Sequence, residues 1–296
     1  MTITDVDNWQ KLIDTQFSHL LEPAPRNPSY AEKIMSKMNA HDPDMGGVFV
    51  VILGATGSGK TGTLLSCLER TLDNHPDELC FLNECFDAPL QCGKLPKERI
   101  HLMVEDNRVK FIDRVKKKEC FPEYTSFNGF EDLYKKAVKG KANVVFFRSR
   151  KTVMEWVAWL RRYAFEFVHV FLDELSEISP SFSGGNDFKR IEKFSFVLKD
   201  CRKSLVDIYC TIQATSLCDF KVLSIVQILI FMPGSKAYKH SRIQQKLLDA
   251  LREDKVNGNQ GIVEGFGKFC KVRFSKIYKP DRSRLMHVSL KEAENE

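Results

Sequence analysis

Val48-Phe-Val-Val-Ile-Leu53 runs straight into Gly54-Ala55-Thr56-Gly57-Ser58-Gly59-Lys60-Thr61-Gly62, and everything else is read outward from this junction. The first six residues are continuously apolar and rich in β-branched side chains, the pattern of a strand buried on both faces of a parallel sheet. The next eight fit G-x-x-x-x-G-K-[ST]. Glycines let such a loop wrap so that successive N–H groups point at phosphate oxygens, and the helix-compatible stretch Thr61–Leu72 adds its N-terminal dipole. Lys60 is placed to reach the β- and γ-phosphates, and the Thr61 hydroxyl to hold Mg²⁺. A buried strand on one side and a helix on the other are the context this mechanism needs. The segment therefore predicts a nucleoside triphosphate site.

Further along, Val168-His-Val-Phe-Leu172 is a second buried strand and ends in Asp173-Glu174. If its end lies beside the loop, Asp173 can join the Mg²⁺ shell, and Glu174 can orient or deprotonate a water. A second acid at that position favours an ATPase that activates water over a kinase or a Ras-like GTPase. The plainer alternative is a strand followed by a solvated acidic turn, since Glu177 is close by. A third strand, Val206–Ile212, ends in Gln213, whose amide could contact both γ-phosphate and water. Short apolar runs at Leu79–Leu82, Asn143–Phe147 and Ile225–Phe231 alternate with helical spacing such as Val153, Val157, Leu160 and Ala164. Strands alternating with helices predict an α/β fold of three layers around a mostly parallel sheet. The stretch Gly261–Ser275 predicts a hairpin turning at Gly265–Gly267. Glu84–Lys141 is long and charged, and reads as an insertion with some helix and a short strand at Ile100–Val104.

The 296 residues are 43% hydrophobic and 28% charged, which excludes wholesale disorder, collagen-like repeats and a pure coiled coil. Lys and Arg number 45 against 39 acids, a net charge of +6 that is compatible with a polyanionic partner. The basic residues concentrate at Arg108–Lys118 and Lys135–Lys151, with Phe121, Tyr124, Phe127 and Phe130 after the first cluster. This pattern reads either as phosphate contacts with stacking aromatics or as a solvated insertion over a small aromatic core. Nine cysteines, an odd number, and an acidic, polar N-terminus point to a reduced, cytosolic-type protein. The longest apolar run, Val222–Met232, is too short to span a membrane. His75, Cys80, Cys85 and Cys92 lack the paired Cys-x₂-Cys spacing of a zinc knuckle, so Mg²⁺ is the metal expected.

In order and spacing, the phosphate loop, the Phe171-Leu-Asp-Glu174 strand end, and Arg202-Lys-Ser-Leu-Val-Asp-Ile-Tyr-Cys-Thr-Ile-Gln213 resemble the FtsK–HerA superfamily of ring-forming DNA-pumping ATPases. The resemblance covers about residues 47–275 without the insertion, and includes Ile225–Phe231, Ser235–Asp249 and the final hairpin. It implies a RecA-like (ASCE) P-loop fold, ATP and Mg²⁺ as cofactors, Gln213 as γ-phosphate sensor, and Arg202 as an arginine finger for a neighbouring subunit. It further implies a hexameric ring acting on double-stranded DNA, with a capsid or portal-type partner and a place in the host cytoplasm or virion if viral. Two rivals stay open: an ATPase that drives protein assembly or secretion, and a nucleotide-dependent switch that moves no DNA. Two departures stand out. The family often has Thr-Gln-Arg-Pro where this chain has Ile212-Gln213-Ala214-Thr215, and a glycine usual before that strand is absent around Val206-Asp207. The expected organisation is an N-terminal arm over 1–46, an ATPase domain over 47–280 and a polar tail over 281–296. In layout the chain is similar to the small genome-packaging ATPases of membrane-containing viruses.

Overall fold

The computed structural model describes residues 46–84, 95–105, 109–113, 116–181, 186–237, 243–253, 260–265, 268–273 and 286–290. Strand β1 (Phe49–Leu53) leads into helix α1 (Lys60–Asn74), then β2 (Leu79–Glu84), β3 (Ile100–Val104), β4 (Val109–Asp113), β5 (Lys118–Cys120) and β6 (Thr125–Ser126). Helix α2 (Phe130–Lys136), β7 (Ala142–Phe146), α3 (Arg150–Tyr163), β8 (Val168–Leu172), α4 (Leu175–Ile178) and α5 (Asn186–Lys199) follow. The chain then forms β9 (Val206–Ile212), α6 (Phe220–Leu223), β10 (Ile228–Phe231), α7 (Gln245–Glu253), β11 (Gln260–Gly265), β12 (Lys268–Arg273) and β13 (Met286–Leu290).

Ten strands form one sheet in the order β12-β11-β10-β1-β9-β8-β2-β7-β3-β6. From β10 to β6 every pairing is parallel, and β11 and β12 add an antiparallel edge. Strand β9 is inserted between β1, which feeds the phosphate loop, and β8, which ends at Asp173. The mostly parallel α/β sheet of a RecA-like fold, expected from the sequence, is therefore present.

The strands β1, β7, β8 and β9 are buried at every position, so both faces are largely apolar, and the polar side chains among them (Asn143, His169, Asp207 and Thr211) are buried with hydrogen-bond or ion-pair partners. Alternate residues serve different layers. Val50, Ile52, Phe171 and Tyr209 pack with Leu64, Leu65 and Leu68 of α1. Val51, Leu53, Val170, Ile208 and Cys210 pack with Trp156 and Leu160 of α3, Phe194 of α5 and Leu247 of α7. Full burial of one such side chain stabilises the fold by about 1.5–3 kcal/mol.

The predicted hairpin is present in β11 and β12, which pair antiparallel on either side of the expected turn. The insertion extends the main sheet through β3 and β6, and Ile100–Val104 is a strand as expected. It also contributes β4 and β5 to a separate three-stranded sheet. The third member of that sheet is β13, which pairs antiparallel with β4. Five residues of the expected polar tail are thus held by a backbone ladder. Strand β10 is shorter than its apolar run because Phe220–Leu223 turns helical, and the Gln227 side chain instead accepts the Phe49 N–H at 2.7 Å. Residues 1–45 of the expected arm, Cys85 and Cys92, and Arg108 and Arg114 lie outside the described residues.

Candidate nucleotide-binding site

The parallel strands bring the ends of β1, β8 and β9 to one edge of the sheet, where ligands of open α/β sheets bind. Gly54 follows β1 in a confined space. A Cβ there would stand 2.4 Å from Ser58 Oγ and 2.8 Å from Met232 Cβ, so only glycine fits. Gly57 and Gly59 have φ of +80° and +93°, the left-handed region that glycine enters freely. Helix α1 then starts with no side chain capping it and no acid in its first turn. Its N-terminal amides remain available to an anion. Ser58 Oγ, which lies against Gly54 within the loop, is buried with no hydrogen-bond partner among the described residues.

Lys60 is buried at the base of the loop, and its ammonium donates to the Ala55 carbonyl at 3.1 Å. Burial lowers its pKa, while the nearby Glu174 and Asp173 carboxylates oppose that shift. The Thr61 hydroxyl lies 3.3 Å from both Asp173 oxygens. A hydroxyl and a carboxylate are the hard oxygen donors that Mg²⁺ takes from protein when substrate phosphates complete its shell. The residues present therefore fit both the triphosphate and the cation.

The arrangement is a P-loop nucleotide site on a RecA-like fold.

Around it, Glu174 has φ +61°, rare for a residue with a side chain and costing about 1–3 kcal/mol of backbone strain. Its N–H donates to Thr211 Oγ1 at 2.8 Å, and that hydroxyl donates to Asp173 Oδ1 at 2.7 Å. Thr211 is fully buried and holds both acids by one atom. Ser176 donates through its hydroxyl to the Glu174 carboxylate. Gln213 is exposed just beyond β9, and its Oε1 accepts from Thr56 Oγ1 of the loop at 3.4 Å. Lys60, Thr61, Asp173, Glu174 and Gln213 are thus gathered at one place. Arg202 is not. It belongs to the turn Asp200–Lys203 ahead of β9, at the opposite edge of the sheet from its own phosphate loop. The length of β9 puts roughly 20 Å between them.

Sequence reasoning missed Thr211 and the segment Met232–Ser235. A threonine inside an apolar strand reads as β-branched filler, and only its position two residues before Gln213, on the same face, could have marked it. Ser235 Oγ donates to the Leu53 carbonyl at 2.7 Å, and Gly234 approaches Ala55 so closely that a Cβ would stand 3.2 Å from the alanine's Cβ. This segment forms one wall of the loop. Of the four aromatics after the first basic cluster, Phe127 is buried against Phe147, and Phe130 packs on Phe147 and Trp159. Phe121 is 84% exposed. Cys80 is buried in β2, and burial pushes its thiol up well beyond the ordinary range.

No protein-family model matches the sequence, and neither does any curated protein. Among solved structures, the chain is similar to the genome packaging NTPase B204 from Sulfolobus turreted icosahedral virus 2 in complex with ATP-gammaS. That similarity has 9% identity and a TM-score of 0.47 over 78% of this chain and 98% of the other. A DnaB-like replicative helicase is similar at 13% identity and TM-score 0.43, over 92% of this chain and 72% of that one. The N-terminal domain of zonular occludens toxin from Neisseria meningitidis is similar at 14% identity and TM-score 0.32, over 83% and 94%. Among the described residues, no helix is long and apolar enough to cross a membrane.

Proposed function

We propose that this chain is an ATPase that works as a ring and moves double-stranded DNA. The observation that carries the hydrolytic part is the convergence of Lys60, Thr61, Asp173, Glu174 and Gln213 at one sheet edge, with Thr211 fixing the two acids. Lys60 and the loop amides hold the phosphates. Thr61 and Asp173 hold Mg²⁺, which when bound neutralises charge on the phosphate oxygens. Glu174 takes the proton of the attacking water or orients it, and Gln213, touching the loop, responds to the γ-phosphate. Arg202 starts at the far edge of its own sheet, so a role in charge stabilisation requires the site of a neighbouring copy. That is the reason for a ring, most simply a hexamer.

The DNA part rests on charge and on the order of motifs. Lys116, Lys117 and Lys118 stand exposed in and after the turn between β4 and β5. A lysine-tipped hairpin can grip phosphates without reading sequence. The second basic cluster contributes less, since Lys135, Lys136 and Lys139 are ion-paired with Glu131, Asp132 and Glu166.

Steady-state ATP hydrolysis with and without duplex DNA, at low and moderate salt, tests both parts. The expected result is turnover stimulated several-fold by DNA, with the stimulation suppressed by salt and absent in a Lys116/Lys117/Lys118→Ala variant. Hydrolysis indifferent to DNA would refute the translocase and favour an ATPase of protein assembly. An absence of hydrolysis that Glu174→Gln does not alter would refute the enzyme itself.

A further inference from the structure

Strand β1 meets the phosphate loop at one peptide, Leu53–Gly54, and both polar groups of that peptide are taken. The Gly54 N–H donates to the Ile212 carbonyl of β9 at 3.2 Å. On the other side the Leu53 carbonyl accepts twice, from the Met232 N–H at 2.7 Å and from the buried Ser235 hydroxyl at 2.7 Å. A carbonyl oxygen has two lone pairs, so both are occupied. The Met232 bond continues the parallel ladder in which Leu53 stands opposite Phe231 of β10. The Ser235 bond comes from outside the ladder.

Ser235 reaches that carbonyl because the chain after β10 turns back over the loop. Gly234, at φ +80°, makes the turn and passes against Ala55. The Ser235 N–H donates to the Met232 carbonyl at 3.1 Å, and the Ser235 hydroxyl is shared with the same carbonyl. Helix α7 steadies the turn from its outer side through Gln245. The Gln245 Oε1 accepts the Ala237 N–H at 2.7 Å, and its amide nitrogen donates to the Ser235 carbonyl at 3.4 Å and to Asp249 Oδ1 at 2.8 Å. A line of hydrogen bonds thus runs from the start of α7 to the root of the phosphate loop.

Gly54 carries no side chain to hold its orientation, so the direction in which the loop leaves β1 depends on what grips the Leu53–Gly54 peptide. A loop free to swing must be ordered when the phosphates arrive, and that ordering subtracts from affinity. Asp173 and Glu174 are held separately, by Thr211 of β9.

We propose that Ser235 is a positioning residue of the nucleotide site, whose hydroxyl, steadied by Gln245, fixes the Leu53 carbonyl and preorganises the phosphate loop. This rests on the nucleotide-binding reading given above and adds a division of labour. The β10 side of β1 sets affinity, and the β9 side sets the hydrolytic step.

Titration calorimetry with ADP on the full chain tests the role without depending on hydrolysis or on DNA. Ser235→Ala should weaken ADP binding by about five- to tenfold. Gln245→Ala, at an exposed position, should weaken it by about two- to threefold. Ser235→Cys, a weaker donor of similar size, should fall between Ser235→Ala and the parent chain. In Ser235→Ala the Leu53 and Met232 carbonyls each keep a backbone donor, so melting without nucleotide should stay within about 3 °C of the parent. Under turnover KM for ATP should rise with the ADP Kd, while turnover at saturation stays within about twofold. Parent-like ADP affinity in Ser235→Ala, or an equal loss of turnover at saturation, would overturn the positioning role. So would a loss of affinity that comes with a melting temperature lowered by more than about 8 °C, the mark of a merely structural residue. A parent chain that binds no ADP would refute the nucleotide site itself, which is a different result from a parent and a variant that bind alike.

Discussion

Replacing Thr211 by valine removes one oxygen atom and almost no volume, so its effect isolates the hydroxyl. That oxygen donates to Asp173 Oδ1 at 2.7 Å and accepts the Glu174 N–H at 2.8 Å. A hydrogen bond to a carboxylate contributes about 1.5–3 kcal/mol, and an N–H left without an acceptor costs about 1–3. The two overlap at one atom, so a total near 3 kcal/mol is expected. For a chain of this size that corresponds to a melting temperature lower by roughly 5 °C. The functional consequence follows from Glu174. Its left-handed backbone, at φ +61°, is held partly by the Thr211 bond. Without that bond the residue can relax toward ordinary φ and carry its carboxylate away from the Thr61–Asp173 pair. A displacement of about 1 Å at a catalytic group can cost 10²-fold in rate. Nucleotide affinity, which rests on the loop and Lys60, should be little changed. Thermal melting without nucleotide, nucleotide binding and steady-state turnover together make the assay, with Thr211→Ser as the control that keeps the hydroxyl. The reasoning fails if Thr211→Val melts with the parent chain, or if it melts lower but turns over at the parent rate.

Three further outcomes are expected. Gly54→Ala should abolish nucleotide binding, because its Cβ would sit 2.4 Å from Ser58 Oγ. Gly57→Ala meets nothing within 4 Å, and should cost only the left-handed strain of about 1–2 kcal/mol; equal binding by both variants, measured by titration calorimetry, would discredit the cradle geometry. Glu174→Gln should bind nucleotide normally and lose about 10²–10⁴ in turnover, and a turnover loss under tenfold would remove Glu174 from the chemistry. The last concerns His169. Burial alone would lower its pKa, but hydrogen bonds to Asp207 and Glu78 and their charges push it up to about 9. A raised histidine contributes stability that is fully present below its unfolded value of about 6.5 and is lost as pH rises through about 9, on the order of 3 kcal/mol in all. Urea midpoints between pH 6 and 9.5 should fall for the parent chain and stay nearly level for His169→Gln; parallel curves would refute the assignment.

The parts legible in the sequence were those where one local pattern has a single physical cause. Strands β1, β8 and β9 had to be largely apolar because both faces are covered, with His169, Asp207 and Thr211 as buried, partnered exceptions, and their limits follow the runs almost residue for residue. The phosphate loop was legible because Gly54, Gly57 and Gly59 are each required by space or by positive φ. What stayed hidden depends on partners far away in the chain. Nothing in Met286–Leu290 shows that it will pair with Val109–Asp113. Nor do Phe127 and Phe130 show that they will meet Phe147 and Trp159 instead of a nucleic acid base. Thr211 and Ser235 look ordinary until the fold sets them against Asp173 and Leu53.

The position of β9 explains why the site depends on residues at both ends of the sheet. Asp207, Tyr209, Thr211 and Gln213 have the same parity, so they fall on one face of the strand. At its start, Asp207 accepts the Val48 N–H at 2.8 Å on one side and is ion-paired with His169 at 3.0 Å on the other. In the middle, Tyr209 stacks on Phe171 of β8, with ring centroids 4.7 Å apart. At its end, Thr211 holds Asp173 and Glu174 while Gln213 touches Thr56. The same two neighbours are therefore gripped at both edges, the β1 segment on one side and β8 on the other. A slip of one residue would turn Asp207 and Thr211 onto the opposite face, among Val168, Val170 and Leu172 of β8. A carboxylate buried there would have lost its partners, at a cost of several kcal/mol. The clamp around His169 thus fixes the register that places Thr211 and Gln213 at the phosphate-loop edge. Asp207 is part of how this chain holds its three central strands in place.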